Sequence, residues 1–384
     1  MIDAIGNCDI TQQLIHTNNS IVHCHFNSPV FTCPWPIDTE KLIKLGVSSL
    51  TIQNLDKAIK LFRFALCVRL QTLNNSHIDV GQSYAWLGRA YSDKGEHDRA
   101  IEYSEKALKI WLNNLGHDHP DVATSYNNLG LVYYKKTEYN KAIEFYKQSL
   151  KIYLNNLGPD HPIIANSYHN LGNAYDNKEE YDKAIEYHKK SLQIRLDKFG
   201  CNHPDVATSY NHLGFVYNNK KEYNKAMEYH KKSLQIRLNK LGPDHLDVAR
   251  SYNHLGFIYD KKGEYNRAIE YCNKSLKIRL NKLGSDHLGV AFLYKNLAFI
   301  YSNKQEYDKA LEFGKKALEL ILKKLDSNHK DVGVLYNILG DIYCKKEDKM
   351  EAKKYYENAL SIYTQKMSKD NSDTQKIISK LKKL

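Results

Sequence analysis

Seven histidines stand at a constant spacing of 42 residues, and an aspartate lies within two residues of each. Histidine beside a carboxylate could ligate a metal or act as a general base. Because only one such histidine occurs per repeat, a tetrahedral site would have to draw its ligands from several separate loops. We therefore interpret each one as a side chain that fixes its own loop by a hydrogen bond. The seven are His77, His119, His161, His203, His245, His287 and His329.

A second group of metal-ligating residue types, His23-Cys24-His25 with Cys33, lies near the N-terminus. Its spacing does not match the usual zinc patterns, such as paired Cys-x-x-Cys. No nucleophile elbow, phosphate-binding loop, HExxH motif or kinase signature occurs in the chain. The sequence therefore predicts a protein that is not an enzyme and that uses no cofactor or metal.

The elements that carry the histidines repeat with the same period. The dipeptide Leu-Gly recurs every 42 residues from Leu45 to Gly340, with Leu297-Ala298 in the one slot that departs, and an alanine recurs from Ala58 to Ala352. A fixed period of this size indicates one supersecondary unit copied along the chain, each copy burying its apolar face against the next. Eight units follow, and we expect function on a long shared surface.

The first half of a unit predicts a helix, here named helix A. In the third unit, Tyr126, Leu129, Gly130 and Tyr133 fall at i, i+3, i+4 and i+7, which is the stripe of a helix that buries one face. Pro120 favours the first turn of this helix, because a proline there removes an N–H that has no intrahelical partner. A short turn of four residues then ends it.

The second half predicts a partner, helix B. Asn140 is predicted to cap its start, and Gly158 to end it. Gly130 on helix A and Ala142 with Ser149 on helix B leave no bulky side chain where two helices must approach. Antiparallel helix pairs are therefore expected.

These residues resemble the signature of the tetratricopeptide repeat, whose usual unit has ~34 residues. The longer unit here carries an additional loop, Leu115 to Ala123, and in this it resembles the repeats of kinesin light chain and nephrocystin. The resemblance covers residues 39 to 365 and implies an all-α fold, a right-handed superhelical solenoid of antiparallel helix pairs. Unlike kinesin light chains, residues 1 to 38 show no heptad. The matching residues are Tyr126, Leu129, Gly130, Tyr133, Ala142 and Ser149.

The domain organisation follows from the repeat phase. Residues 1–38, with three prolines and no helical stripe, are predicted to be a poorly ordered lead-in. Residues 366–384 carry apolar residues at helical spacing and are predicted to form a capping helix; its basic amphipathic character also permits a membrane-surface interpretation. The predicted unit boundaries are 39–80, 81–122, 123–164, 165–206, 207–248, 249–290, 291–332 and 333–365.

Composition excludes several classes of protein. The net charge of +12 is spread along the chain, and seven cysteines do not follow the repeat as a disulfide framework would. No apolar run is long enough to span a membrane, and no signal peptide is recognisable. We expect a cytoplasmic protein without membrane insertion.

Helix A has a second face, at the positions that do not pack on helix B, and it carries a series of amides. The slot before the repeat leucine holds Asn128, Asn170 and Asn296, or His212 and His254. An asparagine ladder could satisfy the backbone of an extended peptide. By resemblance, Asn128, Asn170 and Asn296 match the asparagine that holds ligands in peptide-binding tetratricopeptide proteins. The alternative is that these side chains bond water or adjacent helices.

Phenylalanines occupy another slot of this face in three consecutive units, where they could form an apolar floor for a ligand side chain or pack between repeats. Basic residues on the face favour a peptide with acidic residues. The predicted function is a scaffold or adaptor that binds peptide segments of other proteins, with no small-molecule substrate; the alternative is a single-stranded RNA-binding repeat protein. The candidate peptide-binding residues are Asn127, Asn128, Asn170, Asn211, His212, Asn253, His254, Asn296, Phe215, Phe257, Phe299, Arg89, Lys135 and Lys261.

Overall fold

The computed structural model describes residues 37–365 and 371–384 in full, and residues 23–26, 28–32 and 366 by their backbone. These residues form seventeen α-helices and one hairpin. The hairpin pairs β1 (His23–Phe26) with β2 (Ser28–Thr32) in antiparallel register, within the predicted lead-in. The possible metal group of His23, Cys24, His25 and Cys33 lies outside the side chains that the structure describes.

Helices A and B alternate along the chain, so the predicted all-α repeat solenoid is confirmed. Odd-numbered helices are helix A of their unit, and even-numbered helices are helix B. Their bounds are α1 Thr39–Thr51, α2 Leu55–Thr72, α3 Ile78–Lys94, α4 His97–Leu115, α5 Pro120–Lys135, α6 Tyr139–Leu157, α7 Pro162–Asn177, α8 Tyr181–Phe199, α9 Pro204–Asn219, α10 Tyr223–Leu241, α11 Leu246–Lys261, α12 Tyr265–Leu283, α13 Leu288–Asn303, α14 Tyr307–Lys324, α15 Lys330–Lys345, α16 Lys349–Lys366 and α17 Ser372–Lys382.

The helices divide into two compact units, residues 1–194 and residues 195–384. Consecutive helices from α1 to α7 and from α9 to α17 pack on one another, because a single amphipathic helix pair leaves one apolar face uncovered. The predicted repeat boundaries stay predictions; α3 begins at Ile78 and α5 at Pro120, so the boundaries before residues 81 and 123 lie three residues inside helix A.

The turn between helices A and B repeats with the period of the sequence. Its central residue has a positive φ in every repeat: glycine at Gly95 and Gly263, but Thr137 and five other non-glycine residues elsewhere. The predicted cap at Asn140 is wrong. Helix α6 begins at Tyr139, and Glu138 precedes it without a side-chain capping bond, because its carboxylate pairs with two flanking lysines.

The repeat alanine is fully buried in every unit, and the repeat leucine is fully buried from Leu87 to Leu339, whereas Leu45 in the first unit is 43% exposed. Glycine recurs at the next position for a different reason, which is that helix B approaches helix A closely there. A Cβ built on Gly130 would lie 2.6 Å from the ring of Tyr146. Real Cβ atoms essentially never come so close, so only glycine fits opposite a large side chain in that slot.

The seventh repeat departs from Leu-Gly in a way that the structure explains. Ala298 replaces the glycine, and the facing slot of helix B, which holds Tyr146 in the third repeat, holds Gly314. A Cβ on Gly314 would lie 3.7 Å from the Ala298 methyl, which is ordinary contact, although it would press on Leu339. In this repeat the glycine therefore lies on helix B and the side chain opposite it lies on helix A, the reverse of the other repeats.

The seven recurring histidines cap helix A. In each, Nδ1 accepts a hydrogen bond from the backbone N–H two residues later, at 2.9 to 3.3 Å. This is the position of an N-cap, where a side-chain acceptor satisfies one of the unpaired N–H groups of the first turn. The predicted loop-fixing hydrogen bond is confirmed.

We expect His245→Ala to lower the free energy of unfolding by about 1 kcal/mol, because the N–H of Asp247 loses its acceptor. His245→Asn should retain most of the stability, since Asn371 caps α17 in the same way, accepting from Asp373 at 2.9 Å. Urea denaturation of the full chain measures both. Equal losses in the two variants would contradict the capping role.

Helix α17, which was predicted as a capping helix, has the sequence phase of helix A in a further repeat. Asn371 lies 42 residues after His329, and Leu381 lies 42 after Leu339. The helix packs on α16 and buries Ile377. Its Lys380 Nζ lies 2.9 Å from Asn337 Oδ1 and 2.6 Å from Asp341 Oδ1. The predicted terminal helix thus continues the contacts of the preceding repeats.

Candidate functional site

The candidate surface is the side of helix A that faces away from helix B, here called the A face. In the third repeat its side chains are Asn127, Asn128, Leu131, Tyr134 and Lys135, all of which are partly or largely exposed. The stacking of repeats aligns equivalent positions of neighbouring A helices within each compact unit. Contacts along this face decide which predicted residues are available to a ligand.

Asparagines on this face form two hydrogen-bonded pairs, each of which joins neighbouring repeats. Asn170 Nδ2 donates to Asn127 Oδ1 at 3.0 Å, and Asn296 Nδ2 donates to Asn253 Oδ1 at 2.9 Å. Asn128 has no such partner, because the repeat before it carries Ala85 in the accepting slot. These amides therefore stabilise the stacking of repeats, which was the alternative interpretation, and part of their bonding capacity is already used.

His212 and His254, which are partly buried in the same slots, cluster with Phe215 and with His230, a buried residue of helix B. Asn211 Oδ1 lies 3.2 Å from His230 Nδ1, and the Phe215 ring stands edge-on to His254 with centroids 4.6 Å apart. Burial lowers the pKa of His212 and of His230 to about 4, and the pKa of His254 well below its usual value. Phe215 thus packs between repeats and does not join the other two phenylalanines.

Phe257 and Phe299 lie together on an open cleft. Each is 43% exposed, a large fraction for phenylalanine side chains on neighbouring helices. The cleft has a volume of about 210 Å³ and lies between α11, α12, α13 and α15. It is lined by Phe257, Asp260, Lys261, Cys272, Lys295, Asn296, Phe299, Ile300 and Ile338.

The charges of the cleft comprise two lysines and one aspartate. Lys261 Nζ lies 5.0 Å from the ring centroid of Phe257 and 5.7 Å from that of Phe299. Burial lowers the pKa of Lys295. Asp260 is nearly buried and accepts a hydrogen bond from Asn303 Nδ2 at 2.9 Å, while burial raises its pKa. An apolar group carrying a negative charge suits this combination.

The other predicted cations are less available. Arg89 Nε and Lys135 Nζ both lie 2.9 Å from the carboxylate of Asp93. One carboxylate therefore offsets part of their charge. Burial by itself would raise the pKa of Asp93, but the hydrogen bonds from Lys135 and Arg89 outweigh it, and the pKa is lowered. Of the three predicted basic residues, the structure brings only Lys261 into the cleft.

Five of the residues that line the cleft were not predicted from the sequence: Asp260, Cys272, Lys295, Ile300 and Ile338. A signal existed in the repeat phase: Lys295 and Ile338 interrupt slots that hold asparagine or histidine in the middle repeats. The participation of Asp260 needed the structure, because that slot varies from repeat to repeat.

Other site types find no support among the described residues. No group of three or more histidine, cysteine or acidic residues is placed to hold a metal ion. The four described cysteines are not in disulfides. No described helix has the length and apolar character required to cross a membrane.

A tetratricopeptide repeat family model matches most of the chain, in overlapping segments. The chain therefore belongs to the tetratricopeptide repeat family, as its sequence signature indicated. A search of curated protein sequences finds no match. The matched segments are residues 40–113, 79–155, 138–197, 205–281, 247–323 and 289–365.

Solved structures include similar chains. The apo form of RapI is 19% identical, with a TM-score of 0.56 over 74% of this chain and 97% of that one, and it supports the fold. BtubC (BKLC) from P. vanneervenii is 21% identical, with a TM-score of 0.49 over 65% of this chain and 94% of that one. Nearly identical TPR-like repeats from Podosopora anserina, which carry the kinesin light chain name, are 23% identical, with a TM-score of 0.49 over 54% and 98%.

Proposed function

We propose that this chain is a non-enzymatic scaffold of the cytoplasm that binds an extended peptide segment of another protein along the A face of α11, α13 and α15. The observation that carries the proposal is the pair of exposed rings, Phe257 and Phe299, beside a cleft of about 210 Å³. Exposed aromatic side chains grouped around a concave surface favour protein recognition. Membership of the tetratricopeptide repeat family supports an interaction role.

The cleft suits an apolar side chain of the peptide, and the lysines beside it suit an acidic neighbour. Phe257 and Phe299 supply the apolar walls, and Ile300 with Ile338 completes them. Lys261 supplies the cation nearest the rings. The asparagines paired between repeats keep the A helices in register, so in this proposal they position the cleft more than they clamp the peptide backbone.

We expect the double change Phe257→Ala and Phe299→Ala to weaken peptide binding at least tenfold, because the complex loses two aromatic contacts that the peptide would bury, a loss of more than about 1.4 kcal/mol. The ligands are twelve-residue peptides selected from a random display library on the immobilised full chain. Their dissociation constants are then measured with the native chain and each variant by fluorescence anisotropy.

Phe292→Ala is the matched control. Phe292 lies on the same helix as Phe299 and is 42% exposed, but it does not line the cleft. If both changes weaken binding equally, or if neither does, the cleft is not the binding site. Selective binding of a single-stranded RNA oligonucleotide, with a steep loss between low and moderate salt, would favour the RNA alternative instead.

A further inference from the structure

A second series of hydrogen bonds crosses the A face between consecutive repeats. The side chain six residues after the repeat leucine donates to the residue five after the leucine in the preceding repeat. This pattern holds for lysine and for asparagine donors alike. The bonds run from Lys135 Nζ to Ser92 Oγ at 3.2 Å, from Asn177 Nδ2 to the Tyr134 hydroxyl at 2.7 Å, from Asn303 Nδ2 to Asp260 Oδ1 at 2.9 Å and from Lys345 Nζ to Ser302 Oγ at 3.1 Å.

Lys261 occupies the same slot and departs from the pattern. Its acceptor in the preceding repeat would be Asn218, whose Oδ1 is buried without a hydrogen-bond partner. Within the described part of the chain, Lys261 makes neither a hydrogen bond nor a salt bridge; its ammonium lies over the rings of Phe257 and Phe299. An aromatic ring holds an exposed cation only weakly, so this position of Lys261 is easily exchanged.

The position of Lys261 has a consequence for the cleft. The ammonium lies over the two rings that offer the apolar surface, within 6 Å of both centroids. An apolar ligand must compete with it for that surface. A carboxylate on the ligand would give the ammonium a better partner, because opposite charges attract more strongly than a cation and a ring quadrupole at a partly exposed site.

We propose that Lys261 is a gate that selects ligands joining a carboxylate to an aromatic or aliphatic group. In the free chain the ammonium lies over part of the surface of Phe257 and Phe299. On binding, it leaves the rings and pairs with the ligand carboxylate, and the apolar group takes its place against the rings. This inference rests on the proposed function and specifies the ligand chemistry of the same cleft: a peptide with an acidic residue next to a bulky apolar one.

Three small probes separate the charge from the apolar group: 3-phenylpropionate, 3-phenylpropan-1-ol and 3-phenylpropan-1-amine. Binding is followed on the full chain by methyl NMR of Ile300 and Ile338, which line the cleft. With the native chain we expect the carboxylate to bind about threefold tighter than the alcohol, the scale of a partly exposed ion pair. The amine should bind most weakly.

Lys261→Met distinguishes a gate from a simple charge. Removal of the ammonium should abolish the preference for the carboxylate and should also make the alcohol bind about threefold tighter, because the ammonium no longer lies over part of the rings. In the native chain, the ε-methylene protons of Lys261 should be shifted upfield by the ring currents and should move downfield when the carboxylate binds. A lysine that acted only by its charge would leave the affinity for the alcohol unchanged, which would overturn the gate.

Lys135→Met is the matched control, since it makes the same change in the same repeat slot, where no phenylalanine pair lies. It should leave the affinities of all three probes unchanged. If no probe shifts the two isoleucine methyls of the native chain at millimolar concentration, the gate is wrong. The peptide measurements with the Phe257 and Phe299 variants then still decide the proposed function separately.

Discussion

Acidification from pH 7 to pH 4.5 is expected to destabilise residues 195–384 strongly through three histidines, of which His230 is buried and His212 and His254 are partly buried. His230 is 1% exposed, and burial, reinforced by nearby arginines, lowers the pKa of His212 and of His230 to about 4. The pKa of His254 is lowered as well, chiefly by burial. One such histidine should remove about 2 to 3 kcal/mol of stability over this range. Together the three should remove several kcal/mol.

Acid lowers the stability because the unfolded chain binds more protons than the folded chain. An unfolded histidine titrates near pH 6.5, whereas His212 and His230 titrate in the folded chain near pH 4. Between these values the unfolded chain binds more protons, so acid favours unfolding. The stability is complete above about pH 6.5 and is lost as the pH falls towards 4.

The test compares urea denaturation at pH 7 and pH 4.5 for the native chain and for the double change His212→Asn and His254→Asn. Asparagine is the natural choice, because Asn128, Asn170 and Asn296 hold the same slot in other repeats. The double variant should lose clearly less stability on acidification than the native chain. His117→Asn, at an exposed loop histidine, controls for the removal of an imidazole. Equal losses in the native chain and the double variant would mean that His212 and His254 do not govern the acid response.

Gly130→Ala is expected to lower the free energy of unfolding by about 1 to 3 kcal/mol, although alanine favours helix by about 1 kcal/mol over glycine. The new Cβ would lie 2.6 Å from two atoms of the Tyr146 ring and 3.2 Å from the carbonyl oxygen of Ala142. Neither a packed ring nor a helix carbonyl can move away without cost. Overpacking therefore outweighs the gain in helix propensity, as urea denaturation would measure.

A compensating pair tests the cause. Gly256→Ala places a Cβ 2.7 Å from Cys272 Sγ, and adding Cys272→Gly recreates the arrangement of Ala298 with Gly314. We expect Gly256→Ala to destabilise less in the Cys272→Gly background than in the native chain, with a coupling of about 1 kcal/mol. Strictly additive effects would show that the repeat glycine is required for another reason.

How far could the sequence alone predict this architecture? The 42-residue phase predicted the helix pairs, because a period imposes the same burial on every copy. It also assigned the recurring histidines to the loops, although not to the exact capping bond. The cap was predicted at Asn140 because asparagine is a common N-cap residue. In the structure Glu138 precedes the helix, and its carboxylate pairs with lysines that lie before and after it in the chain.

The candidate site was likewise predicted only in part from the sequence. The sequence by itself determined which side chains share the A face, because helical spacing alone decides that. Only the tertiary structure decided that Asn170 and Asn296 bond to neighbouring repeats, that Phe215 packs against histidines, and that Phe257 and Phe299 remain exposed beside Lys261. The reason is that availability to a ligand depends on what the adjacent repeat places within hydrogen-bonding or van der Waals distance. Those distances are set by the stacking of two copies, and no single copy of the repeat contains them.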